Sequence, residues 1–253
     1  MTAAVPADPP RLFVPPPTPE FRRARARLLG RIHRVYRTVD EPRQVGPWAV
    51  PFTRIADPDS VLDMVVEECD RIERQSGVRL KDPLHLPYWA ELWDSAAGVG
   101  QVMLETATPW GGLRVLDLGC GMGLTGTVAA ALGARVLFAD LEAPALMFAR
   151  LNSLPWAARV RARVTNWQTD DLGERFDVIV GADILYERAQ WEHLDPFWRR
   201  HLADGGRILL GEPGRQTGDT FLDWAPSQGW TLQRQDRVVP TRPTPVRVLR
   251  LTR

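Results

Sequence analysis

Lysine is nearly absent from the 253 residues: Lys81 is the only one, and every other cationic side chain is arginine. With so much alanine, proline and glycine, this reads as a genomic compositional bias rather than a functional one. An excess of either charge is also missing. Lys+Arg number 32 and Asp+Glu 31, a net charge of +1, so no global field draws the chain to nucleic acid or to a membrane surface. Cysteine is scarce: Cys69 and Cys120 are too few for a disulfide framework and suit a reducing, cytoplasmic compartment. No apolar run reaches the roughly 18 residues that a membrane-spanning helix needs. The N-terminus lacks a charged-then-apolar signal pattern. His85, His193 and His201 have no ligand spacing with the two cysteines, so no metal is expected.

What is present is a chain of 44% hydrophobic and 25% charged residues, the balance of a globular protein. Residues 1–20 are proline-rich and read as a flexible arm. Residues 21–85 read as an accessory extension of helix, strand and helix. In its first helix Phe21, Ala24, Leu28, Ile32 and Val35 recur at helical spacing, with arginines on the other faces. Residues 47–60 read as a strand and a turn. The next helix is expected to start with Ser60 as its N-cap and Asp63 three residues on.

From residue 86 to 253 the pattern becomes regular and reads as one ligand-binding domain. Strands are expected at 114–118, 135–140, 159–165, 175–183 and 206–212, with helices between them. Such alternation predicts an α/β fold: a Rossmann-like parallel sheet with helices on both faces. The last two runs, TLQRQDRVV and PVRVLRLT, are separated only by a turn, so they should form an antiparallel hairpin. That ending departs from the fully parallel dinucleotide fold. It favours the seven-stranded sheet used by S-adenosylmethionine methyltransferases.

The segment VLDLGCGMGLTG carries two overlapping glycine patterns. Gly119, Gly121 and Gly123 spell G-x-G-x-G; Gly121, Gly123 and Gly126 spell G-x-G-x-x-G. Glycines let backbone approach a ligand, and the following helix N-terminus offers free N–H groups. Asp117, two positions before Gly119, discriminates between ligands: a carboxylate there repels a pyrophosphate and suits a ligand with an ammonium and a sulfonium. Alternatively Asp117 caps the loop's own amides. Asp140 ends the next strand, 17 residues after Gly123, where a carboxylate can take both ribose hydroxyls. Trp167 can pack on an adenine face or in the core. Tyr88 and Trp89 can line a substrate mouth, and Arg215 can meet an acidic substrate or pair with Asp219. Asp183 ends the fourth strand, with Tyr186 three residues on.

Together VLDLGCGMGLTG, LFADLEA, TNWQ and GADILYE resemble the family 16 seven-strand methyltransferases, which include lysine methyltransferases of non-histone proteins. Trp93-Asp94-Ser95-Ala96 resembles the family's tryptophan-acid-small-small motif, and GEPGR (211–215) resembles the branch that acts on the electron-transfer flavoprotein β subunit. The likeness spans about residues 85 to 230. It implies that Trp93 packs near S-adenosylmethionine, that Gly119, Cys120 and Gly121 line its methionine end, and that Asp140 holds the ribose. It also implies Trp167 beside the adenine and Ala182 lining the pocket. Asp183 and Tyr186 match the family's acid-x-x-aromatic motif at the substrate entrance and are the implied catalytic pair. The family often has Asp before the strand-three tryptophan; here Asn166 stands there and can still accept through its amide oxygen.

The resemblance therefore implies N-methylation of a protein lysine, yielding S-adenosylhomocysteine, and a monomer rather than an oligomer is expected. A small-molecule N- or O-methyltransferase would use the same cofactor half, and a non-catalytic interaction protein could retain the fold. Methyltransferases of exocyclic amines in nucleic acid carry Asn/Asp-Pro-Pro-Tyr/Phe after the fourth strand, where this chain has Ala182-Asp183-Ile184-Leu185. Nucleic acid is therefore not expected as a partner.

Overall fold

The computed structural model describes residue 14 and residues 17–77, 79, 86–107 and 109–253. The rest of the proline-rich arm and His85 lie outside the described residues.

Helix α1 (Pro19–Ile32) starts earlier than its apolar spacing suggests. The Thr18 hydroxyl accepts from the Phe21 N–H at 3.2 Å, and Pro19 needs no N–H partner in the first turn. The helix buries Ile32 but ends there, leaving Val35 57% exposed and outside the apolar stripe. Next come four three-residue strands: β1 (Thr38–Asp40), β2 (Arg43–Val45), β3 (Trp48–Val50) and β4 (Thr53–Ile55). β2 and β3 form a hairpin, and β1 and β4 pair antiparallel outside it. The single strand and turn expected here are thus two small sheets. Helix α2 (Pro58–Ser76) is capped by Asp57, not Ser60, whose hydroxyl instead donates back to the Asp57 carbonyl at 2.6 Å. Asn152 ties this extension to the rest of the chain. Its Nδ2 donates to the carbonyls of Thr53 and Met122, and its Oδ1 accepts from the Thr53 N–H at 2.8 Å, all buried.

The remaining elements are α3 (Ser95–Glu105), β5 (Arg114–Leu118), α4 (Leu124–Ala131), β6 (Arg135–Asp140), α5 (Ala143–Asn152), β7 (Val160–Val164) and β8 (Phe176–Ala182). They continue with α6 (Arg188–His201), β9 (Leu202–Glu212), α7 (Gln216–Ser227), β10 (Thr231–Arg237) and β11 (Val246–Thr252). One seven-stranded sheet has the order β10-β11-β9-β8-β5-β6-β7. β5 to β9 are parallel, and β11 runs antiparallel to both β9 and β10.

Alternate residues of each central strand supply two separate cores. Val115, Phe138, Val178 and Val180 face α3, α4 and α5, with Val99, Met103, Val128 and Phe148. Leu116, Leu137, Ile179 and Leu210 face α6 and α7, with Trp191, Phe197, Trp198 and Phe221. Coverage on both faces explains why these strands read as continuous apolar runs. The chain leaves β5 toward β6 on one side and returns to β8 on the other. The carboxyl ends of β5 and β8 therefore flank the topological switch, where open α/β sheets place ligands.

Candidate active site

The loop from β5 to α4 turns on three left-handed glycines: Gly119 (φ 61°), Gly121 (φ 51°) and Gly123 (φ 84°). Contact as well as conformation requires glycine at two of them. A Cβ at Gly119 would lie 2.7 Å from Ile184 Cγ2, and one at Gly123 2.7 Å from Ala149 Cβ. Gly126 has a different task. It lies in α4, and a Cβ there would run into the Phe138 ring and the Asp117 carboxylate, so it sets how closely α4 packs on the sheet.

Asp117 is 2% exposed, and its Oδ2 accepts from the Gly126 N–H at 2.7 Å. Asp117 thus holds an amide in the first turn of α4 rather than one of the loop's own. Burial pushes its pKa up to about 8; the Gly126 N–H works against that shift and the neighbouring Asp140 adds to it. Asp140 ends β6 and bridges two backbone amides, accepting from Gly121 at 2.8 Å and from Glu142 at 2.9 Å. Burial pushes its carboxyl up as well. Cys120 donates its backbone N–H to the Ala139 carbonyl at 3.1 Å. Burial raises its thiol well above the usual range, so it is a poor nucleophile.

Beyond β7, Trp167 lies against this loop: a Cβ on Gly119 would be 3.4 Å from its ring. The indole N–H donates to Gln190 at 3.0 Å. Asn166 closes the turn, its Oδ1 accepting from the Gln168 N–H at 2.9 Å while its own N–H donates to Asp170 at 3.0 Å.

At the other edge of the switch, β8 ends at Ala182 and Asp183 follows with φ 60°, the one left-handed non-glycine among the described residues. Its N–H donates to the Gly211 carbonyl at 2.9 Å, which pins the bend to the end of β9. The Asp183 carboxylate is 8% exposed and ion-paired with the Arg215 guanidinium. Burial raises its pKa, while the Ser95 hydroxyl and Arg215 beside it pull the other way. Arg215 also lies over the Trp93 ring, 5.4 Å from its centre. Tyr88 packs edge-on to Trp93 at 6.2 Å and to Tyr186 at 5.3 Å. Burial pushes the Tyr186 hydroxyl up, with Glu187 and Tyr88 adding to the shift. Asp183, Arg215, Trp93, Tyr88 and Tyr186 thus form one chain of contacts, from a buried carboxylate through its cation to three linked rings.

The sequence misplaced one residue of this arrangement, Arg215, and missed another, Glu212. Arg215 pairs with Asp183 and not with Asp219, which belongs to Arg247 at 2.5 Å. Glu212, 2% exposed at the end of β9, accepts from the Gly214 and Arg215 N–H groups and so holds the Arg215 loop. A glutamate ending an apolar strand just before Pro-Gly was the available signal. Trp89 is a correction too. It is 8% exposed and packs on Tyr36 and Phe148, so of the Tyr88–Trp89 pair only Tyr88, 44% exposed, stands at the mouth. His201 is buried, with Nδ1 2.9 Å from the Glu174 carbonyl oxygen. Among the described residues no group of three or more His, Cys, Asp or Glu side chains could hold a metal ion. Nor, among them, is any helix long and apolar enough to cross a membrane.

Several known proteins are similar to this chain. The mouse electron transfer flavoprotein beta subunit lysine methyltransferase is 30% identical over 139 residues, 53% of each chain. A ubiquinone biosynthesis O-methyltransferase from Chelativorans sp. is 39% identical over 112 residues, 44% of each chain. The chain thus spans about half the length of the curated relatives it matches. A glycopeptide N-methyltransferase crystallised with S-adenosylhomocysteine is alike in fold, with a TM-score of 0.55 at 15% identity over 73% of this chain and 97% of that one. Residues 83–224, more than half of the sequence, match the methyltransferase family 16 profile described as lysine methyltransferase. This chain belongs to the lysine methyltransferase family.

Proposed function

We propose that this chain is an S-adenosylmethionine-dependent methyltransferase that methylates a lysine side chain of a protein. The observation that carries the acceptor half is the Asp183 seat. A buried carboxylate holds the Arg215 cation, which lies over the Trp93 ring, and Trp93 is linked through Tyr88 to Tyr186. An alkylammonium has the same charge and fits the same combination of carboxylate and ring face.

The cofactor half fits the same ligand. Three left-handed glycines keep side chains out of the loop, and Asp140 presents a buried carboxylate at its rim. In this reading Asp140 takes the ribose hydroxyls, Trp167 and Asn166 lie beside the base, and Trp93 and Ala182 close the pocket. Gly119, Cys120, Gly121 and Gly123 line the methionine end, with the Asp117 carboxyl behind them. When bound, S-adenosylmethionine supplies a methyl group on a sulfonium, which leaves as a neutral thioether.

The chain's own residues must then present a neutral amine. A lysine ammonium, with a reference pKa near 10.4, has no lone pair to attack with. Arg215 gives up Asp183 as the acceptor enters. The Asp183 carboxylate accepts from the amine and fixes its direction. Its raised proton affinity also suits it to take the ammonium's proton at an Oδ atom. The aromatic rings exclude water and confine the lysine chain to one approach. Positioning and electrostatics, rather than covalent chemistry by the protein, supply the rate.

The likeness to an O-methyltransferase at similar coverage supports a second reading, with a small-molecule acceptor. One experiment separates them: the protein, labelled S-adenosylmethionine and a cell lysate, with wild type and Asp183→Asn side by side. Asparagine keeps the shape and tolerates φ 60°. Protein-borne label that disappears in Asp183→Asn, with cofactor affinity retained, is the expected result. Label confined to the small-molecule fraction would overturn the protein acceptor. Full activity in Asp183→Asn would overturn the role of Asp183.

A further inference from the structure

A charged cavity lies away from the switch, beneath the C-terminal end of α3, on the sheet face shared by β9, β10 and β11. It has a volume of about 290 Å³ and is lined by Arg207, Arg237, Arg250, Glu105 and Gln235, among others. Strand register explains why the arginines meet. Leu209 and Arg250 are direct partners across the antiparallel β9–β11 pair, so their side chains share a face, and Arg207 shares it two residues before Leu209. Arg207 and Glu212, at the active-site end of β9, are five residues apart, roughly 16 Å at the rise of an extended strand.

The charges in this cavity do not balance. Glu105 answers Arg237, at 2.6 Å. Among the described residues neither Arg207 nor Arg250 has a side-chain hydrogen bond or ion pair, and Arg207 Nη2 is buried with no partner. The Trp110 ring lies under the Arg207 guanidinium, 5.3 Å from ring centre to Cζ, and steadies it without neutralising it. Burial and the repulsion of Arg250 both lower the proton affinity of Arg207. The carbonyl end of α3 offsets only about half a charge. Two unpaired guanidiniums side by side at a cavity are a fork-shaped anion receptor.

We propose that this cavity binds a phosphate group, free or carried on a small molecule, through Arg207 and Arg250. Three guanidiniums facing one carboxylate leave an excess that a dianion balances and a monocarboxylate does not. The volume admits a phosphate with a small organic group attached.

The test is calorimetric titration of the full chain with inorganic phosphate and, separately, with glycerol phosphate, against sodium chloride at matched ionic strength. Saturable binding at about millimolar affinity or tighter is expected for at least one of them. Arg207→Gln and Arg250→Gln should each weaken it by roughly tenfold or more, the loss of one charge-assisted hydrogen bond. S-adenosylmethionine affinity should not change in either variant. Arg175→Gln, which removes an exposed arginine paired with Asp204 elsewhere, should bind as wild type does. If Arg207→Gln does not fold, the exposed Arg250 position decides. Tighter binding of glycerol phosphate identifies a phosphorylated small molecule; tighter binding of inorganic phosphate identifies the free ion. No saturable binding beyond the salt control, or equal binding in the Arg250 variant, overturns the proposal.

Discussion

Asp117 offers a sharp test of the cofactor site, because its two readings differ by a proton. With a pKa pushed up to about 8 it is about nine-tenths protonated at pH 7. If a ligand's ammonium comes to it, the cation stabilises the carboxylate and the pKa falls toward the ordinary value near 4. Binding at pH 7 then releases about 0.9 proton from this group, and at pH 9 only about 0.1. The sign follows directly. The charged form is the one that binds, so affinity for S-adenosylmethionine rises with pH toward about 8, by at most about tenfold per unit, and falls above it as the ligand's own ammonium loses its proton. Calorimetry at pH 7 in buffers of different ionisation enthalpy measures the proton count from the slope. Asp140 is raised as well, so the control is Asp117→Asn, in which the amide oxygen still accepts from Gly126 and the release should vanish. Zero release in the wild type, or the same release in Asp117→Asn, refutes the ligand contact and leaves Asp117 as a helix cap.

Asp140→Ala should weaken S-adenosylmethionine binding at least tenfold, since it removes a buried acceptor at the proposed ribose position; unchanged calorimetric affinity would remove Asp140 from that role. Gly126→Ala should destabilise the fold by about 1–3 kcal/mol in urea unfolding, because the new methyl overlaps Phe138 and Asp117. A variant as stable as wild type would mean that α4 is free to lift off the sheet. Arg215→Gln should leave cofactor affinity unchanged and raise protein labelling severalfold at low lysate concentration, because Asp183 is no longer occupied. A fall in labelling would instead make Arg215 a contact of the acceptor.

The sheet was legible because its strands are buried on both faces and punctuated by glycine. β5 and β6 fall on the residues expected, and the C-terminal hairpin follows from its short turn. The glycine loop was legible as a motif whose spacing reflects three left-handed residues. The four strands between residues 38 and 55 were not, since three residues cannot display a two-residue alternation. The α2 cap was expected at Ser60, whereas the helix starts at Pro58, whose missing N–H suits the first helical position, with Asp57 as the cap before it. Arg215 was misassigned as well. Asp219 is a neighbour in sequence, whereas Asp183 lies 32 residues away and reaches Arg215 only once β8 and β9 are side by side. Trp89 and Tyr88 are adjacent, yet one is core and the other rim, a difference set by how a short turn rotates.

The place of β11 inside the sheet bears on the order of events during synthesis. β9 is made 34 residues before β11 begins, and until β11 arrives one edge of β9 has no hydrogen-bonding neighbour. β5 to β8, with the glycine loop and Asp183, can therefore assemble while the nascent chain is still growing, but with an open, apolar border. Such a border is a template for pairing with another chain.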